Sequence, residues 1–152
     1  MGINMNRPGH VGLSLLILSP FMKVLGVGFV AVATVFTLSP DVDLVLKIKH
    51  RAYTHNITFA VFMALLAAAF TAFFGRHSNV FAVALAAFTG VVVHVIADLM
   101  TIQRFPPLYP FSRKKVAFKL FRSDNAAINS SVFVAGVFAF LFFISKIGGV
   151  MR

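Results

Sequence analysis

The chain of 152 residues is 59% apolar and only 12% charged, with a mean hydropathy of +0.91. Nineteen Phe, no Trp and no Cys exclude a disulfide-built domain and any thiolate metal site. There is no Glu, so Asp41, Asp43, Asp98 and Asp124 alone oppose fourteen Lys and Arg, for a formal charge of +10. A soluble domain this apolar could not cover its own surface, and the composition points to a lipid bilayer rather than to disorder, collagen or a coiled coil.

In chain order, residues 11–38 read as a hairpin of two helices, around 10–18 and 24–38. The break is expected near Pro20, because proline removes a donor and restricts the residue before it. One long tilted span is the alternative. Pro40 then stops the second helix. Two uninterrupted apolar runs follow, Ile57–Phe74 and 80–100. At 1.5 Å per residue they reach ~27 and ~31 Å, the thickness of a hydrocarbon core. Residues 101–122 carry three prolines and a basic cluster, and read as an ordered interfacial loop. A last apolar run, 132–147, ends at Gly148-Gly149, with Asp124 and Asn129 flanking its start and Asp124 read as part of an N-cap. The expected fold is an all-α polytopic membrane bundle of four or five membrane-embedded helices in a single domain, 1–152. No cleavable signal peptide and no internal repeat is expected.

Under the hairpin reading, ten Lys and Arg share one face: Arg7, Lys47, Lys49, Arg51, Arg104, Arg113, Lys114, Lys115, Lys119 and Arg122. Lys23, Arg76, Lys146 and Arg152 occupy the other. The positive-inside bias places the richer face in the cytoplasm of a multi-pass protein of the cell (inner) membrane. All four Asp, and every His except His77, fall on that face.

The few acids stand beside the few histidines, in Ser39-Pro40-Asp41-Val42-Asp43, His50-Arg51-Ala52-Tyr53-Thr54-His55 and His94-Val95-Ile96-Ala97-Asp98. The i,i+4 spacing puts His94 and Asp98 on one helix face. Helices that end and start on one side bring the three clusters together, with His10 at the same level. Taken singly, each has a structural reading: a hydrogen bond within a helix, a turn beside Pro40, interfacial histidines. Together they point to a metal or catalytic centre, since ionisable groups in membrane helices are costly. Imidazole and carboxylate suit zinc, manganese or iron, with zinc the default.

Gly9-His10, Pro40-Asp41-Val42-Asp43, His50-Arg51-Ala52-Tyr53-Thr54-His55, His94-x-x-x-Asp98 with Thr101, and Tyr109-Pro110-Phe111-Ser112 resemble the YdjM-like family of membrane-bound proteins read as metal-dependent hydrolases. That family is in turn similar to zinc-dependent phospholipase C and P1-type nucleases, which cleave phosphoesters with clustered zinc ions. The resemblance implies His10, Asp41, His55, His94 and Asp98 as metal ligands. The chain has no histidine after His94 and no Glu, which implies one or two ions, most simply Zn²⁺, rather than a three-zinc centre.

Asp43 is then a candidate general base or second-metal ligand, and His50 a catalytic or ligand residue, with Thr54 among the groups that orient the ligands. Arg51, Lys114 and Lys115 would favour an anionic substrate such as a phospholipid head group; marking membrane sidedness is their other reading. The expected activity is hydrolysis of a phosphoester at the cytoplasmic membrane face, with membrane lipid as partner. Charge alone supports no specific nucleic-acid binding. A non-catalytic metal-binding membrane protein or transporter is the alternative, less favoured because transporter sites lie near the midplane.

Overall fold

The computed structural model describes residues 7–45, 51, 53–75 and 79–148. Among the described residues the regular elements are all helices, and the irregular linker before the last helix carries two isolated bridges. Five helical segments are long and apolar enough to cross a membrane. That follows from physics, because a helix satisfies every backbone donor and acceptor internally where no water can.

The first span is α1 (Arg7–Leu18), a 3₁₀ turn at Ser19–Phe21 and α2 (Met22–Leu25). Pro20 lies at the start of the 3₁₀ turn and the span continues through it. The reversal comes six residues later, at Gly26, whose φ of +83° is open to glycine and strained for other residues. The hairpin expectation therefore holds and the expected position of its turn does not. Proline early in a helical turn loses a donor that is orphaned anyway, and so need not reverse the chain.

α3 (Val27–Phe36) runs back beside α1, with the hydroxyls of Ser14 and Thr34 in contact at 3.2 Å. It leads through a 3₁₀ turn containing Pro40 into the short α4 (Val42–Val45). α5 (Ile57–Phe74) and α6 (Val80–Leu99) are capped at their N-termini by Asn56 and Asn79, whose side chains accept from Phe59 N–H and Ala82 N–H. α7 (Ala126–Gly148) begins six residues before the expected start. Its cap is Asn125, accepting from Ile128 N–H, rather than Asp124. Asp124 instead pairs with Arg122 in solvent at 3.0 Å, which lowers the carboxyl and raises the guanidinium from their ordinary values.

Small residues set the helix contacts, as in lipid, where close backbone approach replaces hydrophobic collapse. α1 crosses α7 at Gly12 and Gly136, where a Cβ on either glycine would overlap the opposing backbone. α6 crosses α3 at Gly90, against the Ala33 carbonyl. α6 also packs along α5 and touches α1, so it is the hub of the bundle.

The linker is ordered, as expected, by backbone bonds to helix ends. Phe118, Lys119 and Leu120 N–H donate to the carbonyls of Leu99, Thr101 and Met100. Ile57 N–H donates to Pro107, and Thr58 Oγ1 to Tyr109. Phe105 is thereby driven into the core formed with Ala60, Val91 and Val95.

Two glycines supply a matched pair for measurement. Gly90→Val should cost more than the ~1–3 kcal/mol of ordinary overpacking, because backbone must move. Gly28→Val meets open space and should stay within about 0.5 kcal/mol. Thermal unfolding of the two variants in detergent makes the comparison; equal losses would contradict the α3–α6 crossing.

Candidate metal centre

Four elements deliver side chains to one end of the bundle. His10 comes from the first turn of α1, Asp41 from the 3₁₀ turn after α3, His55 from the residues before α5, and His94 with Asp98 from the last two turns of α6. All five are buried. The His94-x-x-x-Asp98 spacing works as expected, and the antiparallel hairpins bring the other three to the same level.

Hydrogen bonding fixes which atoms face one another. His94 Nδ1 lies 2.7 Å from the Thr37 carbonyl, which can only accept, so Nδ1 carries the proton and Nε2 offers its lone pair. His55 is held in the same sense. Thr54 Oγ1 donates to Asp43 at 2.7 Å, and its oxygen is then free to accept from His55 Nδ1 at 2.9 Å. The two Nε2 atoms face each other 3.0 Å apart. Asp41 Oδ1 lies 3.9 Å from Nε2 of His55 and 3.8 Å from that of His94. Asp98 Oδ2 lies 3.2 and 3.8 Å from the same two atoms.

His55 Nε2, His94 Nε2 and Asp98 Oδ2 form one set of electron-pair donors, and Asp41 Oδ1 approaches the same two imidazoles. A tetrahedral zinc with bonds of about 2.0–2.1 Å separates its ligand atoms by about 3.3 Å, and the observed spacings bracket that value. The donor set therefore fits a small divalent cation. His10 stacks flat on His94, with ring centroids 3.8 Å apart, and its Nε2 is 3.7 Å from Asp98 Oδ1. His10, Asp41 and His94 form one group able to hold an ion; His55, His94 and Asp98 form another.

Two expected site residues take different positions from those their sequence neighbourhood suggested. Asp43 lies behind His55, its Oδ2 accepting from Arg51 N–H at 3.1 Å and from Thr54. There it is placed to orient His55. Arg51 is 4% exposed, with one guanidinium nitrogen 2.7 Å from Asp98 Oδ1 and another 3.4 Å from Thr101 Oγ1. Its guanidinium carbon lies 5.6 Å from the centre of the Phe105 ring. Burial lowers this guanidinium from its ordinary value, against the pull of Asp98, Asp41 and Asp43. The cation is engaged inside the cluster.

Lys114 and Lys115 are exposed on the linker at this end of the bundle. Asn129 donates to the Ser123 and Asn125 carbonyls, a helix-start role. His50, and His77 with it, lie outside the described residues. Sequence reasoning missed the Thr37 carbonyl and Phe105, since a backbone acceptor and a loop aromatic carry no signal of their own.

A polytopic helical bundle with a buried histidine and aspartate cluster at one end is an integral membrane protein with a candidate metal centre. The model of the YdjM inner membrane protein family matches residues 5–151, and the chain belongs to that family. It is also similar to the uncharacterized protein YfhP of Bacillus subtilis (strain 168), 30% identical over 98 residues, which cover 59% of this chain and 30% of that relative. The chain thus spans less than a third of that relative's length in the match. No solved structure matches.

Removing the buried cation tests the arrangement. Arg51→Met leaves Asp98 without its charge partner and should cost about 3–5 kcal/mol in thermal unfolding, as for other broken buried pairs. Arg51→Lys keeps the charge but not both bonds and should lose less. A neutral Arg51→Met would contradict the ion pair.

Proposed function

We propose that the protein is a metal-dependent hydrolase of the inner membrane, acting on a phosphoester at the cytoplasmic face with a bound Zn²⁺. The supporting observation is two overlapping groups of buried donors, His55, His94 and Asp98 and then His10, Asp41 and His94, with Nδ1 of His55 and of His94 already hydrogen-bonded. Three buried carboxylates against one buried guanidinium leave two negative charges, which a single divalent ion would neutralise. His94 has one ring nitrogen left for both candidate groups, which favours one ion over two.

An ion held there would supply Lewis acidity and water made acidic enough to ionise near neutral pH. The chain's own residues hold the geometry. Thr37 fixes the ring of His94, Thr54 and Asp43 fix His55, and Arg51 turns Asp98 so that Oδ2 faces inward. Such orienting groups raise ligand basicity and hold the donor atoms in place. In the reaction, a water oxygen bonds to phosphorus, the bond to the alcohol oxygen breaks, and a proton passes to that leaving oxygen. Only water is needed as co-reactant.

The cytoplasmic assignment rests on charge. Among the described residues Arg7, Arg51, Arg104, Arg113, Lys114, Lys115, Lys119 and Arg122 belong to the site end, against Lys23 and Lys146 at the other. Since the chain has no Cys, single substitutions report sidedness cleanly. In intact cells a membrane-impermeant maleimide should modify Lys23→Cys and spare Lys114→Cys; the reverse pattern would move the site to the outer face.

Elemental analysis of protein purified in detergent should find about one zinc per chain. His94→Ala, Asp98→Ala, His55→Ala and Asp41→Ala should each weaken metal binding by more than the 10–100-fold typical of residues that only orient ligands. Asp43→Asn should fall within that range, and His77→Ala should leave metal content unchanged. Hydrolysis of a chromogenic phosphodiester should follow the metal. Equal losses in His77→Ala and His94→Ala would mean adventitious binding and would overturn the proposal.

A further inference from the structure

A groove of 440 Å³ opens beside the cluster, between the start of α1 and the end of the α3–α4 segment. Its volume lies in the range of small-molecule sites. Val35, Phe36, Leu38, Val42 and Val45 make most of its lining, and Arg7, Ser39 and Asp41 supply its polar groups. Two features separate it from an ordinary lipid-facing crease. Asp41 belongs both to the groove and to the converging donor set, so whatever fills the groove reaches the edge of the centre. Arg7 makes no hydrogen bond or ion pair with any described residue, in contrast to Arg51, which is buried against Asp98.

The rest of the groove is of the opposite character. Val35 and Val45 are 68% and 67% exposed on helical segments long and apolar enough to lie in a bilayer. The groove therefore offers an uncommitted cation, an adjoining metal-ligating carboxylate and a hydrocarbon-compatible wall. Ser39 Oγ is turned inward onto the Phe36 carbonyl and leaves Arg7 as the anion-binding group.

We infer that this groove is the lateral entrance for the substrate, and that the substrate is an anionic lipid phosphoester. Its acyl chain lies along Val35, Val42 and Val45, and its phosphate pairs with Arg7 beside Asp41. The inference rests on the hydrolase reading and names the substrate class that reading leaves open. An alkyl chain gains nothing by leaving lipid for this wall, so the wall sets orientation and the charge sets selection. A cation near a membrane surface contributes about 1 kcal/mol toward an anionic lipid, or about fivefold in occupancy.

The test uses the full chain in nanodiscs of phosphatidylcholine, doped with phosphatidic acid bearing a photoreactive acyl chain. Phosphatidylcholine with the same photoreactive chain is the neutral control. The phosphatidic acid probe should crosslink to the segment 35–45 in preference to the neutral probe. Arg7→Gln should cut that labelling about fivefold, and excess inorganic phosphate should not compete. Val42→Trp fills the groove and should abolish labelling by both probes with metal content unchanged. Val35→Trp, at a more exposed position, provides the same block should Val42→Trp fail to fold. In turnover, the groove-filling variants should lose phosphatidic acid hydrolysis and keep that of a soluble chromogenic phosphodiester.

Equal labelling by the two probes, competition by inorganic phosphate, or indifference to Arg7→Gln would overturn the inference. So would equal loss of both substrates in the groove variants. Protein without metal that still showed charge-selective labelling would sink the hydrolase reading and leave the lipid site. Protein with metal but with silent groove variants would sink the lipid entrance alone.

Discussion

Asp98 lies on a helix apolar enough to cross a bilayer, where an ionised carboxylate is costly unless a cation meets it. Arg51 meets it at 2.7 Å, and the consequences spread from that pair. The chain at Arg51 adopts a φ of +60°, uncommon outside glycine, asparagine and aspartate, and its N–H then reaches Asp43. Asp43 holds Thr54, and Thr54 meets His55. One electrostatic requirement on α6 thereby fixes the rotation of an imidazole supplied by another element. Phe105 closes the arrangement, lying edge-on to His55 and beneath the guanidinium.

The polar network is affordable because the helices around it approach closely. Gly90 lets α3 lie against α6, and the Thr37 carbonyl one turn beyond Ala33 then comes within reach of His94. A side chain at Gly90 would separate the helices and break that bond. Packing at one level of the bundle and ligand orientation at the next are therefore one constraint. Gly12 and Gly136 do the same for α7 and α1, and α1 carries His10 to its stack on His94.

The spans were legible because length against bilayer thickness is a strict filter. Ile57–Phe74 was readable to the residue, bounded by Asn56 and Gly75. The start of α7 was not, since Asn129, Ser130 and Ser131 dilute the apolar signal over its first turns. Proline is the louder punctuation in the sequence, yet Gly26 rather than Pro20 holds the backbone angle that reverses the chain. The ligand candidates were legible from scarcity, four Asp and five His in a chain almost empty of both. Their division of labour was not. Asp41 and Asp43 are two residues apart and therefore point to different sides, one into the donor set and one behind His55. Arg51 between two histidines reads as a head-group ligand until Asp98, 47 residues away, claims it.

The position of α6 as hub bears on how the molecule is made. His10, Asp41 and His55 all precede α6 in the chain, and each is held to the cluster through contacts with His94 or Asp98. A nascent chain that has inserted only its first three spans holds three of the donors without the two that α6 supplies. Asp41 meets His94 once the fourth span arrives. Completion of the donor set is thus coupled to α6, which supplies His94 and Asp98, and to the linker folding back over its end.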